Sequence, residues 1–533
     1  MAEVVDCDVV IIGAGSAGCA LAGRLSEDAA RRVVLVEAGG KDWNPLIHTP
    51  GGIGKLAELM LHNWCFYTEP ESELNGRKLY WPRGKVLGGS SSINAMVYSR
   101  GQREDYDAWA AAGAAGWSAS DVLPFFKKAE NQERGADTWH GTGGPLNVTD
   151  DIDRSPLSKA FVAAGIAAGL PHNPDFCADS AFGIGYYQTT IRNRRRCSAA
   201  VAYLRPARER PNLRVLSGAL ATRLLFDKDR CTGVELAVGR RKITIRAADQ
   251  TILSAGTIGS PHLLMLSGLG PADALMGFGI KPVADLPGVG ANLQDHLDAC
   301  TLVRVKSGVA GSYDKINEPA ALLRYLFRKE GPLASNLAEA GGYDFSSHDV
   351  SRPDIQYHFV PAQLDDHGRN KMPGRGATIH ACHLRPLSRG SISLRSIDPR
   401  TYPKIAPRYL SEPADLEALV RAVERTRDIF AAPAFAGLIE TEVLPGPSVK
   451  TRADIVAFIR AKAETIYHPV GTCRMGDASD SQVVVDPTLA VRGIKCLRVV
   501  DASVMPSIIS GNTNAPTIMI AERAADIVKA GDS

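Results

Sequence analysis

No C-x-x-C pair occurs among the ten cysteines, which argues against zinc and iron–sulfur sites and points to a reducing compartment. No metal site is expected. No apolar run approaches the ~18 residues of a membrane span, and "MAEVVDCDVV" carries acid where a secretory leader would carry positive charge. The expectation is a cytoplasmic protein, with peripheral association at the inner face of the cytoplasmic membrane left open. Neither sign of charge is in excess. The 61 basic and 58 acidic residues leave a formal +3, which gives no footprint for nucleic acid. The one basic cluster, "RNRRRC" at 192–197, is short, so a solvated or carboxylate-paired turn is expected there. Internal repeats and low-complexity segments are also lacking.

What is present is a globular composition, 45% apolar and 22% charged over 533 residues. The first 40 residues hold the strongest local pattern. "DVVIIGAGSAGCALAGRL" runs from an apolar strand (Val9 to Ile12) through Gly13-x-Gly15-x-x-Gly18 into a helix, and "RVVLVE" then ends a second strand at Glu37. This is the logic of a β-α-β nucleotide site. Gly13 permits the tight turn, Gly15 lets a pyrophosphate approach the backbone, and Gly18 packs helix on strand. The helix N-terminus offers free N–H groups to phosphates, and Glu37 would accept from a ribose diol. That carboxylate disfavours a phosphorylated ribose, so FAD or NAD is expected before NADP.

The far end is a counterpart. "CLRVVDASVMP" predicts a strand ending in Asp501, and Pro516 fits the first turn of a helix on which Ile518, Ala521, Ala525 and Val528 recur at helical spacing. Such a helix aims its positive end at Asn512 and Thr513. In "TIYHPVGTCRMG", 44 residues earlier, Pro469 keeps His468 on an extended or turning segment. Between the ends, "TILSAGTIGSPHLLMLSGLG" predicts a strand and a helix capped by Ser260 and stopped at Gly268. The glycine- and serine-rich stretch 76–101 contains Trp81, Tyr80, Met96 and Tyr98 and is expected to be an ordered loop. From about 311 to 464, "DIQYHFV" and "GSISLRS" predict antiparallel strands and "DLEALVRAVERTRDIF" a helix.

Four stretches in order, "GRKLYWPRGKVLGGSSSINAMVY", "SAGTIGSPHLLMLSGLG", "YHPVGTCRMG" and "VVDASVMPSIISGNTNAPTIMIAERAADIV", resemble the signatures of the glucose–methanol–choline (GMC) oxidoreductases. The likeness spans essentially the whole chain. Within the family it is similar to bacterial FAD-dependent dehydrogenases of aliphatic primary alcohols, with polyethylene glycol and L-sorbose dehydrogenases near by. The resemblance implies an α/β fold with a discontinuous Rossmann-like FAD-binding domain (1–155, 199–310 and 465–533). The remaining 156–198 and 311–464 would form a substrate domain, an antiparallel sheet flanked by helices.

It also implies catalytic roles for His468 and Asn512. The FAD would be lined by Gly13, Gly15, Ser16, Gly18, Glu37, Ala38, Trp64, Gly89, Asn94, Val97, Asp501, Ala502 and Thr513. Tyr467 and His358 are the substrate-side candidates, although His358, like His383, has the ordinary reading of a satisfied strand histidine. Asn512 departs from relatives that carry a second histidine there and agrees with the choline-type and alcohol dehydrogenase branches. Ile93 stands where some relatives attach FAD through a histidine, so FAD is expected to be non-covalent.

The chemistry expected is removal of a hydroxyl proton by His468, whose ordinary pKa suits the task, as a hydride leaves the alcohol carbon. Electrons would pass to a quinone or another non-oxygen acceptor. An oxidase using O2, a choline or sugar alcohol dehydrogenase, and a hydroxynitrile lyase that holds FAD without redox turnover are the alternatives. Choline is disfavoured because the sequence shows no aromatic cage with an acidic partner.

Overall fold

The computed structural model describes residues 3–150, 153–314, 316, 318–370 and 372–531. Two seven-stranded sheets carry it. "VVDCDVVII" lies in the strand Glu3–Ile12 and "VVLVE" forms Val33–Glu37; Val9 to Ile12 and the whole of Val33–Glu37 are buried on both faces, as strands of a covered parallel sheet are, while the first half of Glu3–Ile12 is partly exposed. The first sheet runs Leu213–Ser217, Val33–Glu37, Glu3–Ile12, Arg241–Leu253, Arg230–Val238, Leu220–Asp227, and Leu497–Val499 pairs with Arg241–Leu253. Pairing is parallel up to Arg241–Leu253 and with Leu497–Val499, and antiparallel beyond.

The small residues of Ser16–Leu25 let that helix lie against Asn514–Ala530, so the two ends of the chain close one body. Ser16 Oγ donates to Asn514 Oδ1 at 2.7 Å. Further along, the fully buried Glu522 accepts from Arg24 Nε at 2.8 Å and from the Tyr203 hydroxyl at 2.8 Å.

The second sheet is antiparallel throughout, in the order Ile439–Leu444, Leu297–Val305, Gly376–His383, Ile355–Val360, Ala340–Asp344, Gly183–Tyr186, with Glu464–Thr465 on Leu297–Val305. Strand alternation divides its residues. Tyr357, Phe359, Ala377, Ile379 and Ala381 pack with the helices Pro156–Ala167 and Pro413–Ala431. Gln356, His358, Thr378 and His380 then face the other way, away from those helices. By its hydrogen bonding Leu297–Val305, within the 199–310 segment, belongs to this second sheet.

Two local expectations are corrected. The helix expected to start at Ser260 starts at Gly256, because the Ser260 hydroxyl is bonded to Asp501 Oδ2 (2.6 Å) inside the helix instead of capping it. In "GSISLRS" only Ser391–Ser393 is strand, paired in a separate two-stranded ribbon with Lys404–Ala406. The basic cluster is a hairpin, Ile191–Arg192 with Arg195–Arg196, turning through the left-handed residues Asn193 and Arg194. It is not simply solvated. Arg196 is 1% exposed and donates to Ile47 O, Ser91 O, Asn94 O and Asn94 Oδ1, pinning the 88–96 loop to its neighbours without a carboxylate.

Candidate active site

Glycine geometry builds the first half of the site. Gly13 has φ +102°, and a Cβ there would lie 2.4 Å from Ser254 O; a Cβ on Gly18 would lie 1.8 Å from Gly13 O. Gly18 therefore serves helix–strand packing and is absent from the cavity wall. A Cβ on Gly15, by contrast, would meet nothing within 4 Å, because the space beyond it is the cavity. Gly89 (φ +53°) closes against Gly15, 2.7 Å from where its own Cβ would stand. Glu37 ends its strand with Oε2 accepting from Ala14 N (3.0 Å) and Oε1 from Gly39 N (2.7 Å). Burial pushes its pKa up to about 7 against those two bonds.

A cavity of about 470 Å³ is lined by Gly13, Gly15, Ser16, Glu37, Ala38, Trp64, Gly89, Asn94, Val97, Asp501, Ala502 and Thr513, and also by Tyr467, His468, His358 and Asn512. Every candidate except Gly18 is thus brought to one space. Three helices present their first turns to it: Ser16–Leu25, Gly256–Leu266 and Asn514–Ala530. Their unsatisfied N–H groups favour anionic groups. A dinucleotide with a pyrophosphate and a ribose diol fits this cradle: open backbone at Gly15, an acid at Glu37, and positive helix ends between. Asp501 spends its oxygens on Gly256 N, the Ser260 hydroxyl and Ser503 N, so it shapes this wall.

His468 sits on the turn its proline requires, after the left-handed Tyr467 (φ +73°). Its backbone N–H donates to Asp295 Oδ1 at 2.8 Å, and Asp295 Oδ2 is held by the Thr465 and Tyr409 hydroxyls. Arg83 Nη2 donates to Tyr467 O at 2.7 Å from the other side. The ring nitrogens are then assigned by their partners. His296 Nε2 lies 2.9 Å from Leu384 O, an acceptor only, so this nitrogen carries the proton. Burial lowers the pKa of His296 to about 3, and its neutral ring leaves Nδ1 bare. His468 Nδ1, 3.0 Å away, must donate to it. The lone pair of His468 is consequently on Nε2, 3.0 Å from Asn512 Nδ2. Asn512 is oriented by Gln356, whose Nε2 donates to Asn512 Oδ1 at 3.1 Å.

His468 does not keep an ordinary pKa, as the sequence suggested it would. Burial first, then the neighbouring His296, His358 and Arg83, hold it well below 6.5, so the ring is a free base at neutral pH. His358, on the cavity face of its strand, lies 3.3 Å from Asn512 Nδ2. His383 points elsewhere, near Asp415 and Asp354.

Sequence reading missed His296, Gln356, Asp298, His380, Glu464 and Arg83, which line or support the cavity. Period-two alternation in "DIQYHFV" was the available signal for Gln356 and His358 sharing a face; nothing in "QDHLD" marks His296 or Asp298. Carboxylates meet aromatics here. Asp298 is 2.6 Å from His380 Nδ1, and Glu464 3.4 Å from His367 Nε2, in a wall that also holds Trp64, Phe66, Tyr80 and Tyr402. Although no metal motif was expected, Asp298, Cys300 and His380 form one group of possible ligands, and Asp366, His367 and Glu464 another. Among the described residues no helix is long and apolar enough to cross a membrane.

Family models of the GMC oxidoreductases match residues 7–298 and 386–521. The chain is 48% identical to the alcohol dehydrogenase [acceptor] of Pseudomonas putida, over 98% of this chain and 95% of that protein. It is 46% identical to human mitochondrial choline dehydrogenase, over 98% and 89%. Among solved structures, pyridoxine 4-oxidase from Mesorbium loti superposes with a TM-score of 0.90 at 33% identity, covering 99% of this chain and 100% of that one. An FAD-dependent oxidoreductase from Chaetomium thermophilum gives 0.88 at 28% identity, covering 98% and 99%. With the glycine cradle, the two sheets and both family models in register over the same chain, the protein belongs to the GMC oxidoreductase family.

Proposed function

We propose that the protein is an FAD-dependent dehydrogenase that oxidises a primary alcohol to an aldehyde and passes the electrons to a quinone or another non-oxygen acceptor. Bound FAD, held non-covalently by the cradle from Gly13 to Thr513, supplies the hydride acceptor. The remaining work is done by the chain. The observation that carries the reading is the pair His468 Nε2 and Asn512 Nδ2, 3.0 Å apart on the cavity wall with the lone pair and the amide N–H directed at one another. An alcohol oxygen seated over the pair from the cavity, in place of that hydrogen bond, accepts from the Asn512 amide and gives its proton to His468 Nε2. His296 and Asp295 fix the base in ring and backbone. Arg83 and the N-terminus of Asn514–Ala530 favour the negative charge that develops as the proton leaves. The relative named an alcohol dehydrogenase [acceptor] supports this choice of substrate class and acceptor.

A second reading, a choline-type cationic alcohol, is favoured by the aromatic wall around Asp298 and by the choline dehydrogenase match. Two contacts weaken it. Asp298 already has His380, and burial raises Glu464 to about 8, which leaves it protonated at neutral pH. An anaerobic flavin-bleaching screen with 1-octanol, choline, aryl and sugar alcohols tests both readings, followed by air or a quinone analogue. Bleaching by 1-octanol and reoxidation by the quinone analogue but not by air is the expected result. Reoxidation by air marks an oxidase, and a flavin that no alcohol bleaches favours the lyase alternative.

A further inference from the structure

The helix Pro319–Arg328 is built the wrong way round for a globular surface. Only Tyr325 is buried, while Leu322, Leu323, Leu326 and Phe327 are 49, 53, 55 and 83% exposed. Their spacing, i, i+1, i+4 and i+5, gathers them on one side of the helix. Scattered exposed leucines need no explanation, but an aligned apolar face does.

What borders that face is basic. The helix itself holds Arg324 and Arg328 and no acid, and Lys329 follows. The Tyr325 hydroxyl donates to Arg194 O at 3.1 Å, which sets the exposed Arg195 of the "RNRRRC" hairpin beside the same helix. Acidic neighbours are few: Glu330 lies 3.4 Å from Arg324, Asp153 3.7 Å from Arg194, and Glu318 precedes the helix. Arg195 and Arg328 have no ion-pair partner among the described residues. Next to the hairpin's other flank, Pro45–His48, stands Trp43, 76% exposed.

We propose that this helix docks in plane on an anionic lipid bilayer, its leucines and Phe327 in the acyl boundary and its cations on the headgroups. A second copy of the chain fits less well. A ten-residue helix is ~15 Å long and its face covers on the order of 200 Å², against about 800 Å² per partner in a stable interface. Two-fold pairing would also bring Arg324, Arg328 and Lys329 toward their own copies. A bilayer requires neither extent nor shape and supplies the opposite charge.

The face adjoins the cavity. The turn Pro332–Ala334 that follows the helix packs on Pro50–Gly52, and both segments lead into cavity-lining residues, Leu337 on one side and Ile53 on the other. Bilayer contact there would bring a lipid-dissolved acceptor or a long-chain alcohol to the cavity wall. That use rests on the dehydrogenase reading; the docking does not.

The experiment is flotation of the purified holoprotein with vesicles of phosphatidylcholine alone and of phosphatidylcholine with phosphatidylglycerol. Capture by the anionic vesicles, weakened by salt, is expected. The double substitution Leu326→Asp, Phe327→Asp should lower capture about tenfold or more, while its flavin and dye-linked activity in solution stay unchanged. Arg195→Glu with Arg328→Glu should erase the preference for anionic lipid. Phe327→Trp places a reporter in the face, and its emission should shift to the blue on anionic vesicles, whether or not the aspartate variant folds. Absence of capture, capture indifferent to the aspartates, no shift of the reporter, or a solution dimer that the aspartates split without any vesicle binding would each overturn the proposal. An enzyme that oxidises no alcohol yet floats would leave it standing.

Discussion

His296 and His468 meet Nδ1 to Nδ1 at 3.0 Å with their rings nearly perpendicular, at 89°. A backbone carbonyl, Leu384 O, thereby decides through one buried ring which nitrogen of a second ring faces the cavity. Replacing His296 with alanine removes the acceptor and frees His468 to adopt the other tautomer. Flavin reduction by alcohol is expected to slow by roughly 10- to 100-fold, the scale on which orienting partners of a histidine act, with alcohol affinity little changed. Stopped-flow reduction under anaerobic conditions reads both quantities, and an unchanged rate would detach His296 from the base.

His468→Ala should cost more, about 10² to 10⁴ in the same rate, the range for a lost general base. Asn512→Ala removes a donor to the alcohol oxygen and should cost roughly 10²- to 10³-fold. Because the two groups act on one oxygen, the double variant should fall short of the product of the single effects.

The pH profile follows from the sign of the shift on His468. Its pKa is held well below 6.5, chiefly by burial. The base is lost only as pH falls through that lowered value, so flavin reduction should stay level across pH 6.5 and decline further into the acid. Folding behaves differently. The unfolded chain takes up this proton near pH 6.5 while the folded chain does not, so this histidine's contribution lowers stability as pH drops below that point. A rate that halves near pH 6.5 without any change in folding would contradict the assignment.

Ile93 lines the cavity beside Asn94 and offers no nucleophile. Denaturation and precipitation should therefore release free FAD to the supernatant, and yellow colour retained in the pellet would show a covalent bond.

Glu522 is fully buried against Arg24 and the Tyr203 hydroxyl. Substitution by alanine leaves Arg24 with only the half-exposed Glu27, 3.1 Å from Nη1, and removes the acceptor of the buried Tyr203 hydroxyl; it should destabilise the protein by about 1–3 kcal/mol, measured by denaturant unfolding. Replacing Arg24 and Glu522 together with methionine should recover much of that loss.

Residues whose function follows from the backbone near them were legible in sequence. Gly13 is required by the positive φ of its turn and Gly18 by its contact with Gly13 O, and Glu37 by its place at the end of a short strand. Pro469 announced the turn at His468. What stayed hidden depends on partners far along the chain. His296 gains its meaning from Leu384 and His468, 88 and 172 residues away. Arg196 looked like one more cation in a polar run, and only the carbonyls of Ile47, Ser91 and Asn94 make it a buried strut. Asp298 and His380 meet diagonally across neighbouring strands, where Asp298 pairs with Cys382 and Cys300 with His380, a register that alternation alone does not supply.

The bond from Ser16 to Asn514 spans 498 positions of chain. On a ribosome adding about 5–20 residues per second, the phosphate-binding turn emerges on the order of half a minute or more before the helix that completes its wall. Until then the nascent β-α-β unit exposes the leucine- and alanine-rich side that Asn514–Ala530 will cover. Cofactor capture is thus a late event in biogenesis, and the waiting N-terminal segment is a natural client for chaperones.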